Sequence, residues 1–86
     1  MGLETVELVI SWERSFLISI PNSIAATITT PAEATIAIER LLAEDGRSLA
    51  RTEIDRVIKA TTLDMAGIRE SEYRLDGRFV QDFGLD

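Results

Sequence analysis

The sequence predicts a small all-α bundle: three main helices, a short helical turn and a long loop that packs onto them. Three stretches carry apolar residues at helical spacing. Only "FLISI", residues 16–20, alternates as a strand would, and one short strand has nothing to pair with. With 86 residues, 45% of them apolar, the chain is expected to form one domain, 1–86, around a single modest core.

Composition excludes several classes of function. The chain has no Cys and no His, so disulfides, zinc ribbons and Ser-His-Asp or Cys-His catalysis are excluded. No pair of carboxylates stands out as an acid/base couple, and the prediction is that the protein is not an enzyme. Fifteen acidic residues against nine basic ones should repel nucleic acid and attract basic partners.

The apolar runs are too short to span a bilayer, and no signal peptide is recognisable at the start of the sequence. The prediction is therefore a cytoplasmic domain that does not insert into membranes.

The first helix is predicted from Leu3 to Phe16. Glu4 and Glu7 lie in its first turns, where negative charge complements the helix dipole. Pro21 prevents its continuation. Trp12 is predicted to be buried rather than exposed as a contact between copies. The predicted buried face consists of Leu3, Val6, Val9, Ile10 and Phe16.

A short turn over residues 23–26, capped by Asn22, precedes the most clearly signalled helix. That helix starts at Thr30 as N-cap, followed by Pro31 and by Glu33, which completes a capping box. Gly46 is suited to end it. Its predicted buried stripe is Ala34, Ala37, Ile38, Leu41 and Leu42.

Ser48 is predicted to cap the third helix, residues 49–62. The buried side of this helix is expected to be Ala50, Ile54, Val57, Ile58 and Thr61. The connection that follows, residues 64–86, is long for a compact domain, so it should pack its apolar residues onto the helices. These residues are Ile68, Tyr73, Leu75, Phe79, Val80 and Phe83.

Two stretches resemble acyl carrier proteins. "LETVELVISWERSFLISIPNSIAATITT", residues 3–30, is similar to the family's second helix and following loop, with Ile-Pro after the helix and Thr-Thr before the last one. "EIDRVIKATTLDMAGIRESEYRLDGRFVQDFGLD", residues 53–86, resembles its first helix and long loop. That loop typically ends in Phe-Val-acidic-Asp-hydrophobic-Gly-x-Asp, which residues 79–86 match except at Gln81.

The two stretches occur here in reversed order. Residues 1–44 match the second half of the family, residues 50–86 match the first half, and residues 45–49 form a linker. The chain thus looks like a circular permutant, cut at the start of the family's second helix. Permutation is tolerated at exposed ends and loops.

The resemblance implies a carrier of acyl thioesters for fatty acid or polyketide-type synthesis. In the family, the Ser of an Asp-Ser-Leu motif holds 4'-phosphopantetheine. Here Asp86 and Leu3 match the flanking residues, and Gly2 stands in the Ser position. Because Gly has no hydroxyl, no phosphodiester can form there, and no cofactor is expected in this chain.

The resemblance also implies a docking surface. Glu4, Glu7, Val6 and Ile10 match the helix that meets basic surfaces of acyl-chain-processing enzymes. The alternative is that the two acids serve only the helix dipole and solubility. In a working carrier the apolar residues would line an acyl cavity, but a plain core is the expectation here.

Acidic residues near the end of the sequence raise the question of a cation site. Asp76, Asp82 and Asp86 could meet Glu4, yet no spacing resembles a calcium loop. A solvated acidic surface without metal is predicted.

Two further hypotheses stay open. One is an assembly module, such as a domain-swapped homodimer, because the short hinge "DGRS" favours exchange between copies. The other is a folding variant of a carrier whose parent is active.

Overall fold

The computed structural model describes residues 2–86, and this part of the chain is helical and contains no strand. The all-α prediction is confirmed. A 3-10 turn over Glu70–Glu72 follows four α-helices: α1 Leu3–Phe16, α2 Asn22–Ala25, α3 Pro31–Glu44 and α4 Arg51–Ala66. Within residues 2–86, no helix combines the length and apolarity that crossing a membrane would require.

Helix α1 has the predicted bounds, but its buried face is rotated from the predicted one. Leu3 is 72% exposed, Ile10 is 39% exposed and Val6 is only half-buried. The prediction was wrong for these three residues because the large rings of Trp12 and Phe16, four residues apart, select the face that enters the core. The buried residues of α1 are Leu8, Val9, Trp12 and Phe16.

Helix α3 starts and stops as its local signals predict. The Thr30 hydroxyl accepts from Glu33 N at 3.2 Å, and Glu33 Oε1 accepts from Thr30 N at 3.1 Å, which completes the capping box. At the other end, Gly46 N donates to Ala43 O at 3.0 Å and Arg47 N donates to Leu42 O at 2.8 Å. This is a Schellman ending, and it requires the positive φ of 72° at Gly46.

The capping box predicts a pH-dependent contribution to stability. The Thr29 hydroxyl donates to the Glu33 carboxylate and, with further bonds from Thr29 and Thr30, lowers the pKa of Glu33. A carboxyl whose pKa is lower in the folded state stabilises the fold above its unfolded pKa, and this contribution is lost as pH falls through the folded pKa. Glu33→Gln should therefore lower the free energy of unfolding by less than about 1 kcal/mol at pH 7, because the carboxylate is largely exposed. In strong acid, where Glu33 is protonated in the folded state as well, the substitution should have no effect on stability.

Urea unfolding of the Glu33→Gln variant and the parent between pH 7 and pH 2 checks this. Thr29→Ala is the matched control, because it removes the largest cause of the shift and should move the Glu33 pKa back up. If the difference in free energy of unfolding between the parent and Glu33→Gln stays constant down to pH 2, the charged form of Glu33 is not what stabilises the fold.

Two predicted caps are wrong. Helix α4 begins at Arg51 with Ala50 as N-cap, so Ser48 lies outside it in the extended exit from α3. In α2, Pro21 is the N-cap and Asn22 is already the first helical residue. The observed caps thus lie two residues after Ser48 and one residue before Asn22.

Helix α4 also runs longer than predicted, to Ala66, where Gly67 at φ +66° ends it. Its buried residues are Ile54, Ile58 and Thr62; Val57 and Thr61 are half-buried. Ala50 is exposed, which contradicts its predicted place in the core, because it precedes the first turn. Helix α4 packs against both α1 and α3, so it is the centre of the bundle.

The segment after α4 packs onto the helices as predicted. Phe79 N donates to Thr29 O at 3.0 Å, and Ala32 N donates to Leu75 O at 3.0 Å, which ties this segment to the start of α3. Phe79, Phe83 and Leu85 are buried, whereas the side chains of Leu75 and Val80 are 50% exposed. The core consists of Leu8, Val9, Trp12, Phe16, Ile20, Ala25, Ala34, Ile38, Leu42, Ile54, Ile58, Phe79, Phe83 and Leu85.

Candidate functional site

The first and last described residues meet in a head–tail junction formed by Gly2, Glu4, Thr5, Leu85 and Asp86. Asp86 Oδ1 accepts from Glu4 N at 3.3 Å, and the main-chain oxygen of Asp86 accepts from Thr5 N at 3.1 Å. In return, Asp86 N donates to Glu4 Oε1 at 3.2 Å. Helix α1 is therefore capped by a residue 82 positions away in sequence.

The tail reaches α1 because the preceding turn holds it there. Leu85 is only 2% exposed, and its N donates to Phe79 O at 2.9 Å. Gly84, at φ +76°, makes the reversal just before it. Burial of Leu85 thus anchors the tail, and Asp86 is delivered to the N-terminus of α1.

Gly2 has no room for a side chain in this arrangement. A Cβ built on Gly2 would overlap the main-chain carbon of Asp86. The nearest hydroxyl in the first turn belongs to Thr5, and it donates to Gly2 O at 2.8 Å. The predicted attachment position is therefore brought beside Asp86, as the resemblance implies, but it offers no nucleophile for a phosphodiester.

The predicted docking residues divide between two environments. Glu4 is half-buried and bonded to Asp86, while Glu7 and Ile10 are exposed. Leu3, Glu7, Ile10 and Arg14 follow one another at helical spacing, and we call them the exposed face of α1. This face carries one acid and one base, so its charge alone does not select a strongly basic surface.

The space beneath α1 is too small for an acyl chain. An apolar cavity of about 10 Å³ lies there, which is room for at most one water molecule. Trp12 is one of the residues that line it, and its Nε1 donates to Thr61 Oγ1 at 2.9 Å. The cavity is lined by Thr5, Leu8, Val9, Trp12, Ile28 and Phe79.

Asp76 and Asp82 are each engaged by a nearby arginine, and Asp86 is engaged by the start of α1. Asp82 Oδ2 accepts from Arg78 N at 2.7 Å, and these contacts with Arg78 lower the pKa of Asp82. Asp76 pairs with Arg74 at 3.6 Å. Within residues 2–86, no group of three or more His, Cys, Asp or Glu side chains converges as metal ligands would.

Tyr73 is a half-buried residue with a buried hydroxyl, and sequence reasoning placed it only among the packing residues. Its ring stacks on Phe83 with centroids 5.7 Å apart, and its hydroxyl finds no hydrogen-bond partner among residues 2–86. Burial, assisted by the charge of Asp55, raises the pKa of Tyr73 to about 12. The phenol is thus neutral at ordinary pH and is not poised as a base.

Sequence reasoning placed Asp86 beside the start of α1 through the resemblance, but it missed the burial of Leu85. The acid in the last position of "FGLD" has the chemistry of an N-cap, and in the structure its side chain accepts from Glu4 N. Comparison of the chain with known proteins finds no matching family model, no matching curated protein and no matching solved structure.

Proposed function

We propose that this chain is an acyl-carrier-type domain in circularly permuted order, without a phosphopantetheine arm and without enzymatic activity. The head–tail junction carries the proposal. Asp86, which the resemblance places directly before the attachment position, hydrogen-bonds to Glu4 N and Thr5 N of α1. Two segments that would be consecutive in the family are thus neighbours in space.

The order of the helices supports the same proposal. Starting at α4, the path runs through the packed segment 67–86 to the junction, then along α1, α2 and α3. Only residues 45–50 connect the end of α3 to the start of α4, which suits a short linker. The packing of α4 against both α1 and α3 is compatible with this proposal.

The remaining role that we propose is docking through the exposed face of α1. Glu7 and Ile10 are its accessible members among the predicted contact residues. The partner would be a basic, partly apolar surface on an acyl-chain-processing enzyme, recognised without an acyl cargo. Gly2 cannot hold the arm, and the cavity of about 10 Å³ cannot shelter an acyl chain.

Restoring the family's order tests the proposal. A reordered chain would begin at Arg47, run to Asp86, continue through one Ser into Leu3 and end at Gly46. The Ser then occupies the position of Gly2 with a peptide bond to Asp86, so the overlap at the Cβ no longer applies. Incubation with coenzyme A and a phosphopantetheinyl transferase should add one phosphopantetheine to this chain and none to the parent, as measured by intact mass.

The matched control is the reordered chain with Gly in place of the inserted Ser, which should stay unmodified. Circular dichroism establishes that each reordered chain is folded. A folded Ser-containing chain that the transferase leaves unmodified would contradict the carrier assignment. An adduct on the parent would contradict the loss of the attachment site.

A further inference from the structure

A second surface feature lies at the other end of α1. An open cleft of about 590 Å³ lies between the loop after α1 and the end of α3. Since α1 has 14 residues, the cleft is about 20 Å from the head–tail junction at a rise of 1.5 Å per residue. Its lining residues are Glu13, Leu17, Ile18, Ser19, Leu41, Glu44 and Asp45.

Leu17 on the apolar wall of the cleft is held away from the core, whereas Ile18 and Leu41 pack partly against the core. Leu17 is 77% exposed and adopts a left-handed backbone with φ +55°, which disfavours a residue with a side chain. Two polar contacts hold the loop in this position. Glu13 Oε2 accepts from Ile20 N at 2.7 Å, and Arg47 Nη1 donates to Leu17 O at 2.9 Å.

The rim of the cleft is negative. Glu13, Glu44 and Asp45 line it, and among the described residues no Lys or Arg does. Helices α1 and α3 both end here, so their dipoles add partial negative charge. Arg47, just after α3, is already engaged by Leu17 O and, at 3.7 Å, by Asp45.

We propose that this cleft binds a partner protein segment that presents a Lys or Arg next to an aliphatic side chain. The aliphatic group would cover Leu17, Ile18 and Leu41, and the cation would lie against the acidic rim. The stem of a Lys or Arg adds apolar contact while its charged end stays at the rim. A neutral apolar segment would gain the apolar contact but not the attraction to the acidic rim. An acidic segment would be repelled by that rim.

A short synthetic peptide of alternating Leu and Lys, blocked at both ends, is the probe. Titration into the labelled protein, followed by amide NMR shifts at low salt, should perturb Leu17, Ile18 and Asp45 first. The same peptide with each Lys replaced by Glu should not bind, and one with each Leu replaced by Ser should bind several-fold more weakly.

Three variants separate this site from general attraction to an acidic protein. Glu44→Gln with Asp45→Asn should weaken binding of the Leu/Lys peptide by roughly three- to tenfold, in line with the loss of two exposed charge contacts. Asp64→Asn with Asp76→Asn removes the same charge from exposed sites elsewhere and should change affinity by less than about twofold at 0.15 M salt. Leu17→Gly, which suits the left-handed backbone and should fold, should weaken binding several-fold.

The proposal would be overturned if the two double variants lost equal affinity for the Leu/Lys peptide. It would also be overturned if the amide NMR shifts were centred on Glu7 and Ile10. Because the probe needs neither the transferase nor the reordered chain, its outcome is independent of the carrier assignment.

Discussion

Trp12→Ala should lower the free energy of unfolding by about 3–5 kcal/mol, the usual cost of truncating a large buried aromatic residue. Trp12 is 1% exposed, its ring packs 5.7 Å from that of Phe79, and its Nε1 bonds Thr61 Oγ1. It thus joins α1 to α4 and to the packed segment after α4. A domain of this size has a total stability of about 5–15 kcal/mol, so this loss is a large fraction of the total.

Urea unfolding followed by circular dichroism measures this loss, since the variant has no Trp fluorescence. Trp12→Phe should cost clearly less, because it keeps ring packing and the Thr61 hydroxyl keeps its bond to Val57 O at 3.0 Å. Leu75→Ala, at a side chain that is 50% exposed, is the control and should change stability by less than about 0.5 kcal/mol. Equal costs for Trp12→Ala and Leu75→Ala would contradict the central place of Trp12.

The features that the sequence predicted well are those determined by neighbouring residues. The capping box of α3 needs only Thr30, Pro31 and Glu33, which lie within one turn. The Schellman ending needs only a Gly after the last turn, and Gly46 supplies it. Such local signals hold because the groups that satisfy one another are already close along the chain.

The features that the sequence did not predict depend on distant residues. Periodicity placed Leu3 and Ile10 in the core, yet the face that enters it is set by contacts of Trp12 with α4 and Phe79. The cap of α1 comes from Asp86: no local pattern in "MGLETVELVI" indicates it, and only the resemblance placed the two ends of the sequence side by side. Ser48 failed as a cap because the exit from α3 sets where α4 can begin.

The same distant contact leads to the second large effect. Removing Met1 and joining Asp86 to the freed amine of Gly2 by a peptide bond should raise the free energy of unfolding by about 2–4 kcal/mol, as for a cross-link that closes a long loop. The gain arises because closure removes conformational freedom from the unfolded chain. Little strain should offset it, since Asp86 already bonds Glu4 N and Thr5 N in the open chain.

Urea unfolding of the closed and open chains measures the gain, and a ring reopened between Gly46 and Arg47 is the matched control. That linear chain keeps the new bond at the junction but regains the freedom of two ends, so its stability should return close to that of the parent. Equal stability of the closed and open forms would mean that the ends do not meet in solution. If the chain reopened between Gly46 and Arg47 keeps the higher free energy of unfolding, the gain comes from the covalent link at the start of α1 and not from closure of the ring.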